Sequence, residues 1–177
     1  METKIMIAGF GGQGVLFGGT LMAQAAMEEG KETTWFPSYG AEIRGGTANS
    51  TVIVSDEEIG SPIIVSPDIL IALNEQSLNK FITKMKPGAL VIINSTLIKV
   101  RPERRDVTLV EVPASEIADK QVKDIRAANL VAIGAMLKAK NVFSLDSAKK
   151  ACEAILSEKP KLIKLNQQAL ELGYNHK

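Results

Sequence analysis

One cysteine, Cys152, and one histidine, His176, leave this 177-residue chain little with which to bind a metal or build a nucleophile. A single thiol cannot supply the several thiolates of an iron–sulfur cluster, and it gives no disulfide framework. His176 lies one residue from the C-terminus, where fraying is expected, so histidine triads and most zinc sites are not expected either. If the protein serves an enzyme, much of the hard chemistry sits elsewhere. An excess of one charge is also missing. With 21 Lys and Arg against 20 Asp and Glu, a net charge of +1 gives no electrostatic argument for nucleic acid or a charged membrane surface. No apolar run approaches the roughly 20 residues of a membrane span. Met1-Glu2-Thr3-Lys4 leads straight into a strand and leaves no room for a signal peptide, so a cytoplasmic location is expected.

The remaining composition, 45% hydrophobic and 23% charged, is that of a soluble globular protein, and residues 1–177 are expected to form one domain with a substantial core. Lys4 to Ala8 reads as a buried strand and Val15 to about Glu29 as a helix. Gly18 and Gly19 inside that helix each cost about 1 kcal/mol relative to alanine, which predicts that it packs very close to the sheet. Glu32 to Phe36 reads as a second strand. Thr47 to Ser55 alternates as a strand with one wetter face, formed by Thr47, Asn49, Thr51 and Ile53. No crossover helix precedes it, so it is predicted to run antiparallel to its neighbour in sequence and to make the sheet mixed. Ile69–Leu73 and Leu90–Asn94, joined by a short helix around Glu75–Lys84, form a βαβ unit. Thr108–Val112 is a further strand. Three helices follow. Asn129–Ala139 is apolar nearly all round and so is buried. The next has Ser144 as its N-cap, and the last runs from Pro160 to a closing Gly173.

Two glycine-rich segments carry most of the functional signal. The first, GFGGQG (Gly9–Gly14), satisfies G-x-G-x-x-G between a strand and a helix, where glycines admit tight turns and close approach of a ligand. Three readings stand open for it: a NAD or FAD site, close helix–sheet packing alone, or a role toward a different ligand or a subunit interface. A dinucleotide site needs an acidic residue at the end of the second strand. That strand ends in Trp35-Phe36-Pro37, and the nearest acid downstream is Glu42. The second segment, PSYGAEIRGG (Pro37–Gly46), holds Ser38, Tyr39, Glu42 and Arg44. Glu42 and Arg44 point the same way in an extended chain, and Gly45-Gly46 allows another backbone close. An ordered surface loop held by its own Glu–Arg pair is the plainer alternative.

Taken together, GFGGQG, PSYGAEIRGG and TANSTVIVSDEEIGSP resemble the gamma subunit of the 2-oxoacid:ferredoxin oxidoreductases. The resemblance continues through PDILIALN (Pro67–Asn74), the helix start Ala128-Asn129-Leu130-Val131 and the closing LNQQALELGY (Leu165–Tyr174). RGGTANSTVIVSDEEIGSPI looks most like the 2-oxoglutarate branch. The resemblance implies a single three-layer α/β/α domain with a mixed, Rossmann-like sheet. It also implies an accessory subunit without a complete active site. The complex it implies decarboxylates a 2-oxoacid, passes electrons to ferredoxin and makes an acyl-coenzyme A. Thiamine diphosphate, magnesium, iron–sulfur clusters and coenzyme A are implied on or between partner chains, with none bound by this chain alone. Alpha, beta and ferredoxin-like delta subunits are the implied partners, with a homodimer open for the isolated chain.

Position by position, Gly9, Gly11, Gly12, Gln13 and Gly14 match the family's first loop. Ser38, Tyr39, Gly40, Glu42, Arg44, Gly45 and Gly46 match its second. Asn74 ends the PDILIALN-type strand, where a ligand or partner would lie. No catalytic step is assigned to any of them. One departure is Arg126-Ala127, which stands where the family often shows Gly-Asn. Pyruvate, branched-chain and indolepyruvate complexes remain alternatives, as does a free-standing nucleotide-binding protein.

Overall fold

The structure is a computed structural model that describes residues 1–38 and 47–177. Its strands are β1 (Glu2–Phe10), β2 (Glu32–Ser38), β3 (Thr47–Ser55), β4 (Ile69–Ala72), β5 (Leu90–Asn94) and β6 (Thr108–Val112). Its helices are α1 (Val15–Met27), α2 (Glu75–Phe81), α3 (Ala114–Ile117), α4 (Ala128–Ala139), α5 (Leu145–Ile155) and α6 (Pro160–Tyr174). The strands form one sheet in the order β2-β3-β1-β4-β5-β6. β3 runs antiparallel to both β1 and β2, while β1, β4, β5 and β6 are mutually parallel. This is the mixed α/β sheet expected, and β4–α2–β5 is its βαβ unit.

Helices cover the two faces unequally. Ile5, Ile7, Val52, Ile71 and Ile92 lie in the larger core cluster with residues of α1, α4, α5 and α6. Met6, Ala8, Leu70, Val91 and Ile93 form the second cluster with Leu78 and Phe81 of α2. β1 is therefore buried on both faces, as its unbroken apolar run requires.

Missing side chains set how closely the layers pack. A Cβ added at Gly18 would lie 2.9 Å from Ile7 Cδ1, and one at Gly19 would lie 2.6 Å from Trp35 Nε1. That is the close helix–sheet contact the two mid-helix glycines predict. A Cβ at Gly134 would lie 2.8 Å from the Tyr174 backbone nitrogen, and one at Gly173 would lie 2.7 Å from the Val131 carbonyl carbon. Gly173 thus does not close α6, which runs on to Tyr174. It is the crossing point at which α6 lies against α4, the helix whose residues from Ala128 to Leu137 are all buried.

Three further differences have physical causes. β3 has no wetter face: Thr47, Thr51 and Ile53 are buried. The threonine hydroxyls find partners inside, Thr47 Oγ1 accepting from Lys80 Nζ at 2.6 Å and Thr51 Oγ1 donating to the Phe36 carbonyl at 3.2 Å. α1 stops at Met27, and Gly30 takes a left-handed φ of 71° before β2. Residues between β6 and α4, for which the sequence suggested no element, form α3, a π turn (Ala118–Val122) and a 3-10 turn (Ile125–Ala127). Lys123 breaks that run in the left-handed region, with φ 64°.

No helix of the described residues is long and apolar enough to cross a membrane. The packing of α4 on α6 makes a direct prediction. Gly134→Ala or Gly173→Ala forces backbone apart and should lower stability by about 3 kcal/mol, read as a drop in Tm. Gly11→Ala meets nothing within 4 Å and should leave Tm unchanged.

Candidate functional site

The C-terminal ends of β1, β4 and β5 meet on one rim of the sheet, the place where open α/β folds present ligand-facing loops. β1 ends at Phe10 and α1 begins at Val15, so Gly11 to Gly14 make the whole turn. The Gln13 N–H donates to the Phe10 carbonyl at 3.1 Å. Gly12 (φ 94°) and Gly14 (φ 70°) take left-handed conformations that a side chain would strain.

Amide side chains hold this turn from two sides. Gln13 Oε1 accepts from the Phe10 N–H at 2.7 Å and from Asn74 Nδ2 at 2.9 Å. Asn74 Oδ1 in turn accepts from the Ser77 N–H at 2.8 Å and caps α2. From the other side Asn129 Nδ2 donates to the Gly14 carbonyl at 2.8 Å. Asn94, at the end of β5, donates to Ser115 Oγ at 2.8 Å and accepts from the Ser115 N–H at 3.1 Å. Asn74, Asn94 and Asn129 are all buried, so each unmade bond would carry a desolvation cost.

The glycines divide into two groups. A Cβ at Gly9 would lie 2.6 Å from Gln13 Oε1, and one at Gly14 would lie 2.6 Å from Asn129 Nδ2. These two are shaped to admit the amides. Gly11 and Gly12 are exposed, and an added Cβ there meets nothing within 4 Å. They form an open tip.

Three shallow clefts share Gly12. One of about 250 Å³ is bordered by Phe17, Arg126, Asn129, Leu162 and Leu165. A second, about 210 Å³, is bordered by Leu73, Leu97, Ser115 and Ile125. The third, about 340 Å³, is bordered by Phe10, Gly11, Leu16 and Ala48. α1 and α4 both start here with neither a side-chain cap nor an acidic residue in the first turn. Arg126 pairs with Asp124 through two guanidinium nitrogens, Nε at 2.9 Å and Nη2 at 2.6 Å. That guanidinium holds the Asp124 carboxyl below the usual carboxylate range. Among the described residues no group of three or more His, Cys, Asp or Glu is gathered to hold a metal. The described residues gathered here are chiefly glycine backbone and neutral side-chain amides, beside the Arg126–Asp124 ion pair.

Gly9, Gly11, Gly12, Gln13, Gly14 and Asn74 thus come together. Ser38 ends β2, where it faces Asn49, and Thr47 opens β3 opposite Phe10, so Ser38 and Thr47 lie at this same rim. Tyr39, Glu42, Arg44, Gly45 and Gly46 lie outside the described residues. Asn94, Ser115 and Asn129 were not singled out as site residues. For Asn94 the available signal is an amide closing a buried strand, as in LVIIN, and for Asn129 an amide alone at the head of an apolar helix. A dinucleotide does not fit the topology: β3 lies between β1 and β2, which removes the end of β2 from the glycine turn by two strand spacings.

Residues 4–176 match the family described as pyruvate ferredoxin/flavodoxin oxidoreductase. The chain is 42% identical over 97% of its length to the ketoisovalerate oxidoreductase subunit VorA of Methanothermobacter thermautotrophicus, and spans only 36% of that protein. It is 36% identical to the 2-oxoglutarate synthase subunit KorC of Methanocaldococcus jannaschii, covering 91% of this chain and 86% of KorC. The crystal structure of a keto/oxoacid ferredoxin oxidoreductase gamma subunit from Geobacter sulfurreducens superimposes with a TM-score of 0.83 at 33% identity, covering 97% of this chain and 96% of that one. The 2-oxoglutarate branch suggested by RGGTANSTVIVSDEEIGSPI is not singled out, since the ketoisovalerate relative has the higher identity. The chain belongs to the pyruvate ferredoxin/flavodoxin oxidoreductase family, and within it to the gamma-subunit type of the 2-oxoacid:ferredoxin oxidoreductases.

Proposed function

We propose that this chain is the accessory gamma subunit of a complex that oxidatively decarboxylates a branched-chain 2-oxoacid to an acyl-coenzyme A, with ferredoxin as electron acceptor. The observation that carries this reading is the 42% identity to a ketoisovalerate oxidoreductase subunit over 97% of the chain. 2-Oxoglutarate is the second reading, favoured by the near full-length match to KorC. Pyruvate and indolepyruvate are competitors for the same assay.

The chain's own groups do not fit an iron–sulfur cluster or a metal-held thiamine diphosphate. Cys152 is fully buried, and burial pushes its thiol up to about 12. One buried thiol cannot supply the several thiolates that a cluster needs. Those groups are assigned to the alpha, beta and delta partners, where bound thiamine diphosphate supplies the decarboxylation chemistry. Coenzyme A is different, because a helix start and an open glycine tip suit an anionic, extended ligand. We read Gly11 and Gly12, with Ser38, Tyr39, Glu42, Arg44, Gly45 and Gly46, as the wall along which coenzyme A passes between this chain and its partners. Gly9, Gln13, Gly14 and Asn74 support that wall from beneath.

The purified chain alone should show no 2-oxoacid oxidation. A complex captured through it under anaerobic conditions should oxidise ketoisovalerate faster than 2-oxoglutarate, pyruvate or indolepyruvate. Full activity from the partner-free chain would sink the subunit reading, and a preference for 2-oxoglutarate would replace the branched-chain one. Arg44→Ala should reduce complex recovery or coenzyme A-dependent turnover about tenfold while the isolated subunit keeps its Tm. A large fall in Tm with unchanged complex activity would refute that role. In the folded chain Cys152 should resist iodoacetamide at mildly alkaline pH and react only on unfolding, as mass spectrometry would show.

A further inference from the structure

Backbone donors fix the orientation of two side-chain amides at this rim, and two hydrogen-bond donors are left unspent as a result. The Phe10 N–H can only donate, so the Gln13 atom it meets is Oε1, which also accepts from Asn74 Nδ2. Gln13 Nε2 then has no partner among the described residues. In the same way the Ser115 N–H fixes Asn94 Oδ1 as its acceptor at 3.1 Å. Asn94 Nδ2 therefore donates both its hydrogens, to the Leu73 carbonyl at 3.2 Å and to Ser115 Oγ at 2.8 Å. Ser115 Oγ is an acceptor toward Asn94, and its own proton has no acceptor among the described residues. Asn94 and Ser115 are both buried, where an unspent donor is uncommon.

Gln13 and Ser115 line one cleft, the space of about 210 Å³ walled by Leu73, Leu97 and Ile125. Both unspent groups are donors, and no carboxylate is among the described residues that line it. The cation at its edge, Arg126, is paired with Asp124. Neutral donors between apolar walls suit an acceptor without charge, because a carboxylate would lose its hydration with no free cation to replace it. We propose that this cleft binds an uncharged carbonyl, an amide or a thioester on a short apolar body, with Ser115 Oγ–H and Gln13 Nε2–H as its donors. Asn94 is a positioning residue, since its amide occupies the acceptor side of Ser115 Oγ and leaves the proton to the cleft. The source of such a carbonyl rests on the coenzyme A reading above, because the pantetheine arm carries amides and the acyl product a thioester; the cleft itself does not rest on it. The open tip of Gly11 and Gly12 stays free for the coenzyme's phosphates.

The test titrates the full chain with three small probes. S-isobutyryl-N-acetylcysteamine carries a thioester and an amide carbonyl, N-acetylcysteamine carries the amide alone, and isobutyrate is a carboxylate with the same branch. The readouts are the Gln13 side-chain NH2 and Gly12 backbone amide resonances of isotope-labelled protein. At least one cysteamine compound should shift both resonances and bind at least tenfold more tightly than isobutyrate. A response to both compounds assigns the amide as the group bound, and a response to the thioester alone assigns the acyl carbonyl. Ser115→Ala and Gln13→Glu, followed through Gly12, should each weaken that binding at least tenfold. Gln13→Glu retains an oxygen for the Phe10 and Asn74 donors, so it should keep its Tm. It decides the case if Ser115→Ala, which strands an Asn94 N–H, does not fold. No binding of either cysteamine compound, equal binding of isobutyrate, or wild-type affinity in a folded variant would overturn the site while leaving the subunit reading intact. A chain that binds the probe but is recovered without partners would sink the subunit reading and leave the cleft standing.

Discussion

The fold depends on backbones approaching closer than side chains would permit. Gly18 and Gly19 let α1 settle onto β1 and β3, and Gly134 and Gly173 let α4 and α6 touch main chain to main chain. Each glycine costs helix propensity, by about 1 kcal/mol relative to alanine. The return is a densely packed layer in which α4 is buried from Ala128 to Leu137. Because α1 starts where it is pressed against the sheet and α4 starts beside it, Asn129 can reach the Gly14 carbonyl. The height of the glycine turn above the sheet is therefore a consequence of packing well below it.

That turn is braced rather than mobile in design. Gln13 and Asn74 link the end of β1 to the cap of α2, and Asn129 closes the other side. Amides serve here because each offers both donors and an acceptor without carrying charge, so burial costs only what hydrogen bonding returns. The same neutrality means the turn has nothing with which to move a proton. A rigid, neutral, glycine-topped rim is suited to presenting a fixed surface to something that brings its own chemistry.

Much of this could be read in the sequence because it followed from local patterns. Short apolar or alternating runs predicted all six strands, and the absence of a helix before Thr47 predicted an antiparallel β3. Gly18 and Gly19 announced close packing for the same reason that they are poor helix formers. What escaped was whatever depended on distant partners. Gly173 looked like a helix stop because glycine is common there, whereas its reason is the Val131 carbonyl on another helix. The hydroxyls of Thr47 and Thr51 suggested a wet face until Lys80 and the Phe36 carbonyl supplied partners. Asn94 and Asn129 gave little local sign of the bonds they make across the rim. The π turn and the left-handed Lys123 have no signature in composition at all.

The neutrality of the glycine face also bears on substrate choice. A branched-chain 2-oxoacid and 2-oxoglutarate differ by an apolar side chain against a second carboxylate, a difference a binding site reads with an apolar pocket or an unpaired cation. Arg126, the cation that borders two of the clefts, is already committed to Asp124. The same fold is 42% identical to a ketoisovalerate subunit and 36% identical to a 2-oxoglutarate one, so similar gamma chains accompany both chemistries. On the proposed subunit reading, selectivity would belong to the chains that hold the reacting carbonyl, and this chain would contribute by fixing how those chains meet.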